Sequence, residues 1–485
     1  MASVVFASFV AKATRKVLRL FGKGATTLPG KLALKINPTI IRKLSVDKDI
    51  ITVTGTNGKT TTTHMIVEML SNIGFDVVTN ISGANLASGI ATTLICGGDE
   101  IIKAQGGSKQ KTKTVYVLET DEAAFAKIAG DLQPKVSVVS NLFRDQLDRY
   151  GELTYTRDCI SNGIDKNDAK LVINADDSLV ASLGKGREGR TIFFGMELAS
   201  MKSNNVTHPE NKGVLPASPD AVYCPLCNVR YEYEARSFSH LGAFCCPKCG
   251  ARRPSPRFEV VYSLSKSPSD PDYGYIIKDT TINEANEMIL KVPGSHNLYN
   301  SCAAVAAVSA YLEEGNDKKE CFDTACKAAL SVKAAFGRME KFSVGDGNKQ
   351  ICILLVKNPA GLDRSLSFLA NAKDADSLFF LLNSNIADGK DVSWIWDVDF
   401  ESKIDNLPKR IYVSGERWAD MQLRVHYAGG RIDKADCMEK AKEILDRAIE
   451  ACEPNKCVYI LPNYTSMLAL RAILVKQYGL KDFWK

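Results

Sequence analysis

The chain has 485 residues and a net charge of only +6, with 45% apolar and 24% charged residues. Its length is several times that of a single-core domain, which predicts about three domains. So weak a net charge gives no support to nucleic-acid binding, and no run of 18 apolar residues exists to form a transmembrane helix. The N-terminal residues do not form a convincing secretory signal, so we expect a cytoplasmic protein. In that reducing compartment, clusters among the 14 cysteines are expected to bind metal or serve catalysis.

The N-terminal segment, residues 1–48, is strongly basic: its first 45 residues hold nine Lys or Arg and neither Asp nor Glu. Five cations recur at helical spacing, namely Lys12, Arg15, Lys16, Arg19 and Lys23. The opposite arc is apolar and consists of Val10, Val17, Leu18 and Phe21. The pattern predicts a basic amphipathic helix, and two roles stay open for it. One is peripheral contact with an anionic membrane surface, at the inner face of the membrane, or with a partner; the other is packing on its own protein through the apolar stripe.

From Asp49 onward, short β-rich runs alternate with stretches long enough for helices, which is typical of βαβ units and a parallel sheet. Buried strands are predicted at Ile50–Val53, Thr114–Leu118, Val136–Ser140, Leu171–Ile173 and Thr191–Phe194. Residues 97–113, rich in Gly and Lys, are predicted to be a solvated loop, and residues 203–223 show no helical period. After Arg338 a second α/β pattern predicts strands at Ile351–Val356, Ser377–Leu382 and Ile411–Val413, and a charged helix near Met438–Ala451.

Residues 51–63, ITVTGTNGKTTTT, combine a buried strand, a glycine-containing turn and the start of a helix. Gly55 and Gly58 can take backbone angles that aim successive N–H groups at phosphate oxygens. Lys59 supplies a positive charge for the β- and γ-phosphates, and the Thr60 hydroxyl can join a Mg²⁺ coordination shell. The helix that follows offers its positive N-terminal end to the same anion. The segment therefore predicts a nucleotide-binding phosphate loop.

The stretch TGTNGKTT resembles the phosphate loop of the Mur ligase superfamily, ATP-dependent ligases that build the peptidoglycan peptide and polyglutamate tails. Similar segments follow in the family's order: VLETDEA with Glu119, residues 141–153, residues 294–304 with Asn297, and residues 336–340 with Arg338. The resemblance implies ATP and Mg²⁺ as cofactors, with magnesium at Thr60 and Glu119. It implies nucleotide contacts from Thr56, Asn57, Gly58, Lys59, Thr60, Thr61, Asn297 and Arg338.

Two departures from that family make a soluble UDP-linked substrate doubtful. Most peptidoglycan ligases have a full domain before the phosphate loop, whereas about 50 residues precede it here. Where the family commonly has D-H-L-D, this chain has Asp145-Gln146-Leu147-Asp148.

Cys224, Cys227, Cys246 and Cys249 form the pattern C-x2-C-x18-C-x2-C. Each pair aims two thiolates at one point, and four protein ligands complete a closed tetrahedron, so we predict a structural Zn²⁺ in a ribbon over about residues 220–255. Cys245 is out of register and is predicted to be a bystander. Nearby arginines keep nucleic-acid binding open (Arg230, Arg236, Arg252 and Arg253), but a small metal-stabilised knob is the favoured interpretation.

Residues 383–400 follow a predicted strand and are dense in Asn, Asp and Trp. The Mur-like core, the ribbon and the stretch DGKDVSWIWDVDFE together resemble the MurT family, and residues 414–425 and 461–471 do so as well. The resemblance implies an α/β fold with a Mur ligase-type central ATP-binding domain (49–335) that carries the ribbon insertion, and a smaller α/β C-terminal domain (336–485). It also implies an essential aspartate in that last domain, for which we choose Asp391 as catalytic residue, with Asp388 and Asp397 as rivals.

MurT proteins are ligase subunits of lipid II isoglutaminyl synthase, so the resemblance implies amidation of the D-glutamate α-carboxylate in lipid II, with ammonia from a GatD-type glutaminase in a heterodimer. The chain lacks the G-x-C-x-G elbow expected of a glutaminase cysteine, which favours a separate nitrogen-supplying subunit. Two alternatives remain: an amino-acid ligase of the folylpolyglutamate synthase type, and a zinc-ribbon nucleic-acid-binding NTPase. The ribbon disfavours the first, and the weak net charge disfavours the second; no nucleic-acid partner is expected.

Overall fold

A computed structural model of the chain describes residues 2–20, 26–80, 84–104, 113–144, 153–207, 221–262, 273–290, 294–332, 338–344, 348–385 and 388–478. Within these ranges, no helix is both long enough and apolar enough to cross a bilayer.

The α-helices of the described residues are α1 (Ala2–Leu20), α2 (Leu28–Ile36), α3 (Ile40–Ser45), α4 (Lys59–Ile73), α5 (Ala87–Ala104), α6 (Glu122–Leu132), α7 (Leu153–Ile164), α8 (Ser178–Ser182), α9 (Leu198–Thr207), α10 (Ser295–Leu312), α11 (Lys318–Leu330), α12 (Pro359–Leu369), α13 (Trp418–Tyr427), α14 (Ala441–Ala451) and α15 (Tyr464–Tyr478). Short 3-10 helices occupy Glu188–Arg190, Ser393–Asp397, Ile404–Asn406 and Met438–Lys440.

The strands of the described residues are β1 (Asp49–Thr54), β2 (Asp76–Thr79), β3 (Thr114–Glu119), β4 (Val136–Val139), β5 (Lys170–Asn174), β6 (Thr191–Met196), β7 (Glu232–Phe238), β8 (Leu241–Cys245), β9 (Phe258–Tyr262), β10 (Tyr273–Asp279), β11 (Glu284–Leu290), β12 (Arg338–Val344), β13 (Lys349–Leu354), β14 (Ala375–Leu381), β15 (Arg410–Ser414), β16 (Lys434–Ala435) and β17 (Cys457–Pro462). The strands expected from the sequence are confirmed, each within two residues at either end.

The first sheet has the strand order β11-β10-β9-β6-β5-β4-β1-β3-β2 among the described residues. In this order, every pair of neighbours from β9 to β2 is parallel, whereas β10 pairs antiparallel with both β9 and β11. Strand β1 lies between β3 and β4, with Val53 opposite Glu119 and Thr54 opposite Val139. Because parallel strands end at one edge, the segments after β1, β3 and β4 meet there.

Helices cover both faces of this sheet, as buried parallel strands require. Helices α4, α10 and α11 contribute to its largest apolar cluster, while α6, α7 and α8 pack with a cluster on β4 and β5. The N-terminal helices α1 and α2 pack against each other and on α5.

The second sheet has the order β12-β13-β17-β14-β15-β16, with β12 antiparallel to β13 and the other neighbours parallel. Helices α12 and α13 cover one face, and α14 and α15 cover the other. Strands β7 and β8 form a separate antiparallel pair beside the four cysteines, called the ribbon hairpin below. This arrangement confirms the expected α/β class with a cysteine insert and a C-terminal α/β unit; the domain limits remain predictions.

Two loop predictions are wrong over part of their length. Helix α5 extends to Ala104, so residues 97–104 are helical, and residues 105–112 lie outside the described residues. Glycine at position 97 permits close packing of this helix on β2, because a Cβ there would come within 2.3 Å of Val78 Cγ1. Helix α9 likewise includes residues 203–207, while residues 208–220 are not described.

Candidate nucleotide and metal sites

The phosphate loop (residues 55–60) connects β1 to α4 at the carboxyl edge of the first sheet. Gly58 precedes the helix with φ +84°, a left-handed conformation that favours glycine. A Cβ at this position would lie 2.2 Å from Asn300 Oδ1, so helix α10 approaches the loop too closely for any side chain.

Lys59 is buried, and its side chain folds back onto the phosphate loop. Its Nζ donates to the carbonyl oxygen of Gly55 at 2.5 Å and lies 3.4 Å from both carboxylate oxygens of Glu122. Glu122 begins helix α6, three residues beyond the predicted magnesium ligand Glu119. Burial raises the pKa of Glu122, whereas the charges of Lys59 and Lys357 oppose that rise. Sequence reasoning missed Glu122, although the acidic run Glu119-Thr-Asp-Glu122 is a visible signal.

Residues 140–143, called the support loop below, fix the phosphate loop from the side of β4. Asn141 accepts from Thr56 N through its carbonyl at 2.8 Å and from Asn57 N through its side chain at 2.9 Å. Thr56 Oγ1 donates to the Phe143 carbonyl at 3.2 Å and accepts from Phe143 N at 3.1 Å. Asn57 Nδ2 is buried and has no hydrogen-bond partner among the described residues, so it is a donor that fits a bound phosphate.

The predicted magnesium ligands lie on the same edge of the sheet. Glu119 ends β3 and is buried, and its Oε1 accepts from Asn85 Nδ2 at 3.3 Å. Asn80 holds the backbone of Glu119 by accepting from its N–H and donating to its carbonyl, both at 2.9 Å. A hydroxyl from Thr60 and a carboxylate from Glu119 are the oxygen ligands that Mg²⁺ prefers. Thr61 is buried in the first turn of α4.

Asn297 reaches the phosphate loop through its neighbour on α10. Asn300 Nδ2 donates to Asn297 Oδ1 at 2.9 Å, and Asn300 Oδ1 accepts from Thr62 Oγ1 at 3.4 Å. Arg338 begins β12, but its side chain lies outside the described residues, as do residues 145–152 with the D-Q-L-D segment.

The four predicted zinc ligands converge. All four sulfur atoms of Cys224, Cys227, Cys246 and Cys249 lie within 4.8 Å of one another. The pairs 224–249 and 227–246 are 3.5 and 3.4 Å apart, far longer than a disulfide and close to the ~3.8 Å edge of a tetrahedron with Zn–S bonds of about 2.3 Å. Backbone N–H groups of Cys249 and Lys248 lower the pKa of Cys246 to about 6, which suits an anionic ligand. This donor set fits Zn²⁺, and Cys245 lies outside it.

The three candidate aspartates of the C-terminal unit occupy different environments. Asp388 is buried at the carboxyl edge of the second sheet, where it accepts from Thr465 N at 2.8 Å; burial raises its pKa. Asp391 is exposed and accepts from Ser393 N at 2.8 Å and from Ser393 Oγ at 2.9 Å. Asp397 lies 3.7 Å from Arg144 Nη1. Trp394 packs on the core of the C-terminal unit, whereas Trp396 is 46% exposed.

Comparison with known proteins identifies this combination of features. Residues 53–220 match the Mur ligase middle domain family, and residues 355–467 match the MurT ligase C-terminal family. The "Lipid II isoglutaminyl synthase (glutamine-hydrolyzing) subunit MurT" of Streptococcus pneumoniae (strain ATCC BAA-255 / R6) is 33% identical over 464 residues, 95% of this chain and 94% of that protein. The protein of the same name from Staphylococcus aureus (strain COL) is 31% identical over 460 residues, 94% of each chain. The chain belongs to the MurT family.

The wider Mur-type fold extends beyond the MurT family. A solved structure of a pseudomurein peptide ligase type C from Methanothermus fervidus covers 90% of this chain and 80% of its own, with TM-score 0.63 and 21% identity, a likeness of fold alone. MurT membership argues against the two alternative functions, the folylpolyglutamate-type ligase and the nucleic-acid-binding NTPase.

In this MurT-family chain, the structure collects the predicted nucleotide residues 56–61 and Asn297 around one loop, with Glu119 on the same sheet edge. Asp391 lies in the C-terminal unit, in the exposed segment just before the 3-10 helix Ser393–Asp397. Besides Glu122, sequence reasoning missed Asn358, whose Nδ2 donates across the two units to Asn57 Oδ1 at 3.1 Å. No local motif marks Asn358, because its partner is 301 residues away.

Proposed function

We propose that this chain catalyses the ATP-dependent amidation of the D-glutamate α-carboxylate in the lipid II stem peptide, giving D-isoglutamine. The observation that carries the proposal is a phosphate loop with a buried Lys59 in a chain that is similar along 95% of its length to a MurT subunit of lipid II isoglutaminyl synthase. ATP use is what a Mur ligase domain implies.

The chemistry requires activation of a poor acyl donor. A carboxylate oxygen attacks the γ-phosphorus of ATP, ADP leaves, and an acyl phosphate results. Ammonia then attacks the acyl carbon, the bond between that carbon and the phosphate oxygen breaks, and inorganic phosphate leaves. The nitrogen loses a proton to give the amide. Lys59 and the first turn of α4 neutralise charge on the transferred group. Bound Mg²⁺, held by Thr60 and Glu119, would supply further charge neutralisation.

Nitrogen is supplied by a second polypeptide in this proposal. Ammonia is mostly protonated at neutral pH, so a ligase benefits from a glutaminase beside it. The relatives named above are subunits of a glutamine-hydrolysing enzyme, which supports a heterodimer with a GatD-type glutaminase. Asp391 is exposed and is therefore available to complete a Cys–His–Asp arrangement in that partner.

The lipid-linked substrate favours a position at the inner face of the membrane, reached through α1. The helix turns small residues inward, since Ala7 and Ala11 are fully buried against α2, α3 and α5. Its bulky residues face outward: Val5, Phe6, Phe9, Val17 and Leu20 are 52–79% exposed. Lys12, Lys16 and Arg19 are exposed on the same side. The apolar arc does not pack inward at Val17, and an outward face of apolar and basic residues suits an anionic surface, which is one of the two roles that the sequence leaves open.

The test is reconstitution with purified lipid II, ATP and Mg²⁺. The chain together with its glutaminase should convert the D-glutamate carboxylate to the amide from glutamine, detected by mass spectrometry of the stem peptide. The chain alone should do so only with high external ammonium, and should release no ammonia from glutamine. Failure of the ammonium-driven reaction would reject the ligase assignment, and glutamine hydrolysis by the isolated chain at the complex's rate would reject the two-subunit scheme.

A further inference from the structure

The ribbon hairpin packs directly behind the support loop. Phe238, the last residue of β7, stacks on Phe143 with ring centroids 6.0 Å apart and planes 4° apart. His240, at the turn of the hairpin, lies 4.6 Å from the same ring. Phe143 is 1% exposed and His240 is fully buried, so this contact is part of the interior.

The support loop transmits that packing to the phosphate loop. Phe143 exchanges two hydrogen bonds with Thr56 through its own backbone, and its neighbour Asn141 holds the N–H groups of Thr56 and Asn57. A displacement of the Phe143 ring therefore moves the two residues that open the nucleotide-binding turn.

The hairpin is itself anchored to the first sheet. Gly242 N donates to the Asp176 carbonyl at 2.9 Å, and Asp176 accepts from Tyr299 Oη at 2.5 Å and from Arg253 Nε at 2.6 Å. Asp177 accepts from Leu142 N at 2.7 Å and lies 3.4 Å from His240 Nε2. The support loop is thus bound from behind by the same buried acidic pair that holds the ribbon.

The cysteine cluster closes the base of the hairpin. Cys227 lies shortly before β7, and Cys246 immediately follows β8, so a metal shared by the two pairs ties both hairpin ends together. The guanidinium of Arg364 on α12 stands over Phe238 and Phe143, 5.2 and 5.6 Å from the ring centroids, so the stack also contacts the C-terminal unit.

We infer that the ribbon hairpin positions the phosphate loop, with Phe238 as the positioning residue, so that the integrity of the four-cysteine site sets nucleotide affinity. This inference rests on the nucleotide binding contained in the proposed function. It adds a role in nucleotide binding to the interpretation of the ribbon as a small metal-stabilised knob.

The test is the dissociation constant of a non-hydrolysable ATP analogue with Mg²⁺, measured by calorimetry on the full chain. Phe238→Ala should weaken binding roughly three- to tenfold, the loss expected for one stacked aromatic contact. Phe238→Leu should fall between that variant and the wild type. Leu226→Ala is the matched control, because Leu226 is 57% exposed at the metal end of the ribbon, and it should bind as the wild type does. In the reconstituted complex, the KM for ATP should rise in Phe238→Ala and the KM for glutamine should not.

Zinc content and thermal unfolding are recorded for every variant. Wild-type affinity in Phe238→Ala and Phe238→Leu, with zinc retained, would overturn the inference. Unchanged nucleotide affinity after chelation of the metal would overturn the claim that the four-cysteine site sets nucleotide affinity. A wild-type chain that binds no nucleotide would instead reject the proposed function, so the two failures are distinguishable.

Discussion

Lys59 has a countercharge within the chain, Glu122, which its sequence motif does not reveal. The side chain lies against Glu122 at 3.4 Å and is buried, so it does not face phosphate alone. Burial raises the pKa of Glu122, so this carboxyl group can take up a proton when its cationic partner is removed. A variant without Lys59 therefore need not bury an uncompensated charge.

Lys59→Ala is expected to abolish ATP turnover, by at least about 100-fold, because charge on the transferred phosphoryl group loses its cation. The fold should persist, with an unchanged circular dichroism spectrum. Turnover is measured by phosphate release in the purified complex. Glu122→Gln is the companion variant, since it keeps the shape of the pair and removes only the negative charge. An unaltered rate in Lys59→Ala would remove the phosphate-loop assignment.

Asp391→Asn separates two roles for this aspartate. Asparagine keeps an oxygen that can accept from Ser393 N, the backbone group that begins the 3-10 helix Ser393–Asp397. If Asp391 serves a triad in the partner, glutamine hydrolysis should fall by roughly 100-fold or more, while amidation driven by external ammonium stays near the wild-type rate. Loss of the ammonium-driven reaction with the complex intact would instead assign Asp391 to the ligase site. Asp397→Asn and Asp388→Asn test the two rivals in the same assays.

At the scale of elements, the two cysteine knuckles share one backbone design. Asn228 N donates to the Cys224 carbonyl and Gly250 N to the Cys246 carbonyl, at 2.8 and 3.0 Å. Asn228 and Gly250 both have positive φ, +54° and +72°, in the region that asparagine and glycine tolerate best. This repetition supports one shared metal rather than two unrelated thiol pairs.

We expect one tightly bound Zn²⁺ per chain, measured by elemental analysis of protein purified without chelator. Cys224→Ser should lose most of the zinc and lower the unfolding temperature, since three thiolates no longer close the tetrahedron. Cys245→Ser is the control, because this neighbouring thiol lies outside the cluster, and it should keep both properties. A zinc-free wild-type protein would refute the four-thiolate site.

Helix α1 is expected to bind anionic lipid vesicles and to release them at high salt, because basic residues share its outward face with bulky apolar ones. Phe9→Glu should weaken co-sedimentation with phosphatidylglycerol vesicles, since Phe9 is 67% exposed at the centre of that face. Leu330→Glu, at an exposed residue elsewhere in the chain, should bind as the wild type does. Equal binding of the two variants would count against membrane contact through α1.

At the scale of the whole molecule, the two sheets meet at the phosphate loop. Asn358 caps α12 by accepting from Gly361 N at 2.8 Å and donates to Asn57 across the interface at 3.1 Å. Arg144 and Asp397 add an ion pair between the same two parts of the chain. The C-terminal unit is therefore in direct contact with the nucleotide-binding turn.

Asn358→Asp should raise the KM for ATP roughly three- to tenfold in the reconstituted complex, because aspartate keeps the helix cap but cannot donate to Asn57. The unfolding temperature should stay close to that of the wild type. Asp317→Asn is the control: it exchanges a carboxylate for an amide at the N-cap of α11, away from this interface, and should not change the KM for ATP. A KM equal to the wild-type value in Asn358→Asp would show that the contact does not support nucleotide binding.

The alternation of strands and helices was predictable because buried parallel strands contain nearly continuous apolar runs, as in β3 and β5. The loop predictions for residues 97–104 and 203–207 failed for a different reason. Glycine and polar residues favour loops locally, but tertiary packing overrides that preference, as Gly97 against Val78 illustrates. The assignments of individual site residues and the domain limits remain predictions.

The sequence by itself determined the features whose chemistry lies within a few consecutive residues. The phosphate loop and the two C-x2-C pairs are of this kind, because their backbone turns place the reactive groups whatever surrounds them. Tertiary structure alone decided the rest: that Glu122 faces Lys59, that Asn358 reaches Asn57, that Phe238 stacks on Phe143, and that α1 turns its bulky side chains outward. These contacts join residues far apart in the chain, or depend on which face of a helix finds a partner, and only the packed fold brings such groups within contact distance.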